Sequence, residues 1–178
     1  ISVRHVLTHT AGIPFAPLGF PKMTDRQERL KAFAKWRLDW EPGSQLQFHL
    51  TSAAWLIAEL VERVDGRPLS AFVQQELAAP LGLGFELGAT VERQRETVAP
   101  MVCTDGSSAE VDPWGPWFFN RPEVVAAGEP AHAMVGSAAD LALFYQAVLE
   151  AKLWTPEIIA EAIRPQITAV PAGEQIYG

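Results

Sequence analysis

Ile1-Ser-Val-Arg-His-Val-Leu-Thr-His-Thr-Ala-Gly-Ile-Pro14 is the stretch on which the reading of the whole chain turns. Ser2 is placed to start a short helix over Val3 to Thr8. Ala11-Gly12, then Pro14 and Pro17, end it, because glycine takes the left-handed closing conformation and proline cannot donate a backbone N–H. His5 and His9 stand at i, i+4, which on one helix would bring two imidazoles to one face, half of a zinc site. No Glu or third ligand is suitably placed nearby. The favoured reading therefore has both His capping or packing against the following turn.

A Pro/Gly/Phe loop follows to Met23. Thr24-Asp-Arg-Gln27 then has the form of a capping box, with Thr24 capping and Gln27 reaching back, ahead of a helix to about Arg37 whose inner face is Leu30, Phe33 and Ala34. Glu41-Pro-Gly43 breaks the chain. From about Ser52 to Val64, Ala53, Leu56, Ile57, Leu60, Val61 and Val64 repeat at helical spacing, and Gly66 and Pro68 stop the run. Ser70 to Leu77 predicts a helix with Phe72, Val73 and Leu77 inward, ended by Pro80-Leu-Gly82. Thr97 to Cys103 is apolar and β-branched and predicts extended chain. Thr104 to His132 has no helical period and is the longest loop expected, and loops of that length are usually functional. Ser137-Ala-Ala-Asp140 caps a helix with Leu141, Phe144, Ala147 and Val148 inward. Thr155-Pro156-Glu157 opens a last helix bearing Ile158, Ile159, Ala162 and Ile163, with proline at its first position, ending near Pro165.

The 178 residues are 48% hydrophobic and 20% charged, with a net charge of −7, a composition that folds. The composition argues against disorder, since a chain this apolar can offset its ordering entropy. Lys and Arg lie scattered among Asp and Glu, which argues against a nucleic acid or an anionic membrane as partner. The uncharged stretch Pro42 to Ala58, unmatched in length except by His5 to Pro21, is interrupted by Pro, Gly, Ser, Gln, His and Thr. It falls short of the roughly 18 apolar residues of a membrane span. Cys103 is alone, so no internal disulfide or CxxC site forms, and it reads as a small core residue. His132 reads as a loop hydrogen-bonding residue. No HExxH, P-loop, GxGxxG after a strand or GxSxG elbow occurs, and no cofactor or metal is predicted.

Three phrases carry a resemblance. Ile1 to Pro14 resembles the I-T-V-R-H-L-L-T-H-T-S-G-L-P segment of the serine β-lactamase-related family, which includes class C β-lactamases, D-Ala-D-Ala peptidases and esterases. Trp40-Glu-Pro-Gly43, the helix to Gly66 and Pro80-Leu-Gly82-Leu83 are similar to its W-x-P-G, L-G-x-I-I-E-x-x-x-G and P-L-G-M. Gly136-Ser-Ala-Ala-Asp-Leu-Ala-Leu-Phe144 resembles its S-T-A-x-D-L-A-x-F. The order is the family's own, across most of the chain.

The resemblance implies a mostly α unit, the helical portion of the β-lactamase/transpeptidase-like α/β fold, with few short strands. It also implies three chemical elements: a Ser-x-x-Lys whose amine activates the hydroxyl, a Tyr-x-Asn whose phenol exchanges protons, and a Lys-Thr-Gly or His-x-Gly strand. No Ser here meets a Lys three places on, and Lys22, Lys31, Lys35 and Lys152 precede Met, Ala, Trp and Leu. No His begins His-x-Gly. Residues 1–178 are accordingly expected to be the interior of a longer hydrolase domain, with the nucleophile segment before them and the final sheet segment after; the start at Ile1 fits that expectation.

Only the middle element falls inside the chain, in Gln47-Phe-His-Leu-Thr-Ser-Ala-Ala-Trp55. One register, which keeps the Thr-Ser-Ala-x-Trp string aligned, puts Phe48 at the Tyr position, where no proton can be exchanged. Counting back from Glu62 instead puts His49 there and Thr51 at the Asn, and a neutral His could serve as a base near pH 7. The Phe48 register is favoured. Asp112-Pro-Trp-Gly-Pro-Trp-Phe-Phe-Asn120 is either a packed surface loop or a wall of the substrate cleft, with Trp114 and Trp117 as its surface and Asp112 and Asn120 as its polar contacts.

The leading expectation is a β-lactamase-like serine hydrolase acting on an ester, amide or β-lactam of a small acyl substrate, with this chain alone inactive. A non-catalytic binding or scaffold member of the same fold is the alternative, motivated by Phe48, and a zinc-binding helical protein through His5 and His9 is a weaker one. Apolar helix faces without a sheet to cover them predict self-association. Substrate and compartment are left open.

Overall fold

The computed structural model describes residues 1–102 and 120–166. Helix α1 (Val3–Leu7) is closed at its start by a reciprocal box in which the Ser2 hydroxyl accepts from the His5 N–H and the His5 ring accepts from the Ser2 N–H. A single 3-10 turn (Lys22–Thr24) leads into α2 (Arg26–Phe33). Asp25, not Thr24, caps α2: its carboxylate accepts from the Glu28 N–H at 2.9 Å, while the Thr24 hydroxyl donates to the Pro21 carbonyl. The stronger acceptor sits one residue later, so the expected box shifts, and α2 ends at Phe33 rather than near Arg37.

Helix α3 (Ser52–Asp65) has nearly its expected span, and Gly66, at φ 89°, closes it in the left-handed conformation. Its buried side differs from the expected stripe. Ser52, Ala53, Trp55, Ala58 and Glu59 are buried, whereas Leu60 is exposed and Val64 is 89% exposed. The helix is apolar over more than one face, so periodicity alone does not choose the packed side. Two clusters choose it. Trp55 and Ala58 pack with Leu18, Met23 and Val124, and Ala53 packs with Val6, Ala11 and Ile13. Glu59 tolerates burial because Arg26 and Arg63 pair with it at 2.8 and 2.6 Å.

Helix α4 (Leu69–Val73) passes through a π turn (Gln74–Ala78) into α5 (Ala79–Leu81) and ends at Gly82, within the expected Pro80-Leu-Gly82 break. Strand β1 (Glu86–Leu87) follows, then α6 (Val91–Thr97). Thr97 is thus a helical residue, unlike the extended chain expected there, whereas Val98 is extended, and Val98 to Val102 join no sheet; Cys103 lies outside the described residues. Helix α7 (Pro122–Ala126) interrupts the long loop expected over Thr104 to His132, with Pro122 at its start and Val124 and Val125 buried.

Strand β2 (Met134–Val135) pairs antiparallel with β1, Glu86 opposite Val135 and Leu87 opposite Met134. Helix α8 (Ala138–Leu149) begins with the expected Ser137 and Asp140 box, and the Asp140 carboxylate also accepts from the Gly84 N–H at 2.7 Å. On α8, Ala147 is buried but Leu141 is half exposed. Helix α9 (Pro156–Ile163) is capped by Thr155 and leaves Ile158 and Ile163 exposed. Among the described residues no helix is long and apolar enough to cross a membrane.

Candidate functional site

The turn after α1 and the segment before α3 are laced together. The Thr10 N–H bonds the His5 carbonyl, which stops the helix, and His9 then takes φ 56°, a left-handed conformation uncommon outside glycine. His9 has therefore left the helix, and the two imidazoles expected on one helical face are not on one. Gly12, at φ 81°, lies so close to the next segment that a Cβ on it would stand 2.5 Å from the Trp40 carbonyl oxygen. The Asp39 N–H donates to the Gly12 carbonyl and the Gly43 N–H to that of Thr10.

His49 is the centre of this lacing. It is 1% exposed, its Nε2 accepts from the Ile13 N–H at 3.1 Å, and its Nδ1–H donates to the Gln47 carbonyl at 2.6 Å. Those partners define a neutral Nδ1–H tautomer, and burial holds its pKa below the ordinary imidazole value. Ser52, also buried, donates its hydroxyl to the Ile13 carbonyl at 2.7 Å. Both ring nitrogens of His49 are thus spent on backbone.

His9 grips the same segment on either side of Phe48. Its carbonyl accepts from the Gln47 N–H at 3.2 Å and its Nδ1 from the His49 N–H at 3.1 Å. With its neighbours so held and His49 inward, the Phe48 side chain turns outward, 57% exposed, its ring 4.7 Å from that of His9. The two registers offered by the sequence therefore correspond to opposite environments: an outward phenyl and a sealed imidazole.

Of the aromatic stretch, Asp112, Trp114 and Trp117 lie outside the described residues. Asn120 is exposed, and its amide clasps Met101, accepting from the N–H and donating to the carbonyl, both at 2.8 Å. Sequence reasoning took Asn120 for a substrate contact and did not see the clasp, because nothing in the spacing signals a side chain bonding back across 19 residues. His9 was likewise expected to cap or pack against the turn, or to form half of a zinc site, and its hold on the Gln47 to His49 segment has no signal in the spacing.

Two concavities lie away from Phe48. One, of about 310 Å³, is polar and bordered by Arg26, Arg29, Trp55, Glu62 and Leu69; Arg29 stacks on the Trp55 ring at 4.3 Å and donates to the Met23 carbonyl. The other, of about 500 Å³, is an apolar groove bordered by Val73, Leu77, Phe85, Met134, Leu141 and Phe144. Among the described residues no group of three or more His, Cys, Asp or Glu side chains could hold a metal ion.

This arrangement of an Ile1 to Pro14 turn locked on the segment entering a long helix, followed by the capped α8, has known counterparts. Residues 1–178 match the Beta-lactamase family model, and the chain belongs to that family. It is 29% identical to esterase EstB of Burkholderia gladioli, over 97% of this chain and 50% of EstB. In structure it is similar to a penicillin-binding protein homologue of Caulobacter crescentus, with a TM-score of 0.77 at 22% identity over 95% of this chain and 50% of the homologue. A family VIII carboxylesterase superposes with a TM-score of 0.79 at 21% identity, over 94% of this chain and 50% of that one. The fold is the mostly α part of the β-lactamase/transpeptidase-like fold, and the chain spans about half the length of the relatives it matches.

Proposed function

We propose that these residues serve a serine hydrolase that opens an ester, amide or β-lactam bond of a small acyl substrate through an acyl-enzyme. The observation that carries the reading is the match of all 178 residues to the Beta-lactamase family model, with Phe48 outward beside the buried, backbone-bonded His49. Membership of the family, and a relative named as an esterase, support the same chemistry.

In this reading the nucleophile and its amine come from residues other than these 178, which contain no Ser-x-x-Lys. The chain alone has no turnover. Phe48, not His49, occupies the phenol's place: a base needs a free lone pair, and the one on His49 Nε2 is taken by the Ile13 N–H. Asp112, Trp114 and Trp117 contribute a wall of the cleft, and Asn120 sets the base of that wall through its clasp on Met101.

The missing phenol favours a second reading, a non-catalytic binding member of the same fold. The product of the complete reading frame containing these residues is assayed on p-nitrophenyl esters, an aryl amide and a chromogenic cephalosporin, beside the 178-residue chain. Hydrolysis by the complete protein alone is the expected result. Binding of these substrates without turnover would establish the second reading instead.

A further inference from the structure

His9 has a nitrogen that the fold does not use. Its Nδ1 accepts from the His49 N–H, which places the ring proton of the neutral imidazole on Nε2. That Nε2–H has no hydrogen-bond partner among the described residues, and it is not one of their buried orphaned atoms, so it reaches the surface. It does so on a half-buried ring in contact with Phe48, held there by a backbone at φ 56°. Strain of that kind persists only where surrounding bonds over-determine it, and it concentrates at ligand-contacting positions. Here two bonds from residues 47 and 49 impose it.

Resting on the hydrolase reading above, we propose that His9 is a substrate-contacting hydrogen-bond donor, its Nε2–H directed beside Phe48 to the oxygen or nitrogen of the ester or amide being cleaved. No proton is transferred. With Nδ1 occupied, the ring has no free lone pair to act as a base, and the proton stays on Nε2 throughout. The hydrogen bond strengthens as negative charge grows on the substrate heteroatom and relaxes as that charge is lost. A neutral imidazole is suited to this, because it donates without carrying a charge that would have to be desolvated. Burial keeps the His9 ring neutral by lowering its pKa, in agreement with the role.

Asparagine and glutamine separate the donor from the tether. His9→Asn tolerates the left-handed backbone and can keep an acceptor where Nδ1 stands, but has no donor at Nε2. His9→Gln carries an amide N–H near Nε2 and lacks the acceptor. In the complete protein, His9→Asn is expected to lower kcat by at least about tenfold with KM and melting temperature little changed, and His9→Gln to recover part of kcat despite a lower melting temperature. A purely structural His9 gives the reverse ranking, and His9→Asn with the kcat of the unaltered protein overturns the donor role while leaving the hydrolase reading intact. No hydrolysis by the unaltered complete protein overturns both. On the 178-residue chain, nitrogen NMR of the imidazoles should show His9 as the Nε2–H tautomer, titrating below the ordinary histidine range; the Nδ1–H tautomer would refute the assignment without any assay.

Discussion

His49 and Glu129 make opposite demands on pH. Burial holds the pKa of His49, His9 and His132 below the ordinary 6.5, so the unfolded chain takes up protons there that the folded chain refuses. Their share of stability is complete above pH 6.5 and is lost as pH falls below it. Glu129 is fully buried, its Oε2 accepting from the Ala131 N–H and its Oε1 without a partner among the described residues, and desolvation pushes its pKa from 4.5 to about 7. Its folded form keeps a proton that the unfolded chain releases, so this share is lost as pH rises from 4.5 to about 7. Glu129→Gln is therefore expected to raise the urea midpoint at pH 8, with the gain vanishing below pH 4.5; equal gains at both pH values would refute the burial argument. Gly12→Ala should cost more than about 1 kcal/mol in the same assay, since it combines a positive φ with a collision at the Trp40 carbonyl. At this scale the sequence was legible only in part. It favoured Phe48 over His49 from the aligned Thr-Ser-Ala-x-Trp string but showed neither side chain's direction, because which of two adjacent side chains turns inward depends on Ile13, 36 residues away.

Elements whose ends carry their own chemistry were readable in advance. Ser2, Ser137 and Thr155 each cap the helix expected of them, since a cap is satisfied within three residues. The two strands were not readable: each has two residues, and the partners lie 47 and 49 residues apart in sequence. Helix α7 was hidden as well, because five residues show no period, and Val124 is buried through contact with α3 and the Met23 turn rather than through any pattern of its own. The packed side of α3 follows the same logic. Trp55 joins α2, α3 and α7 and carries Arg29 on its face. Trp55→Ala should thus destabilise by about 3–5 kcal/mol and loosen all three helices together, read as concurrent loss of amide-exchange protection in Arg26–Phe33 and Pro122–Ala126. Loss confined to α3 would contradict this account of the core.

Across the whole molecule, apolar surface lies open along helices that pack on one side only. Val64, Leu149 and Ile163 are each more than three-quarters exposed, and Tyr145, Leu141 and Ile158 more than half. Patches of this kind associate, and the 178-residue chain is expected to sediment at a concentration-dependent mass; a monomer at every concentration would argue against it. The family was legible from three phrases, each held where the structure bends or caps: the turn after α1, the breaks around α3 to α5, and the start of α8. The chemistry was less so, since no Ser-x-x-Lys lies in these residues. The most direct measurement is to quench the complete protein during turnover of a p-nitrophenyl ester and locate the acyl group by mass spectrometry. One acyl group is expected on a serine outside residues 1–178, and none on the seven serines within them. An acyl group on any of those seven, or none anywhere while ester is consumed, would contradict that expectation.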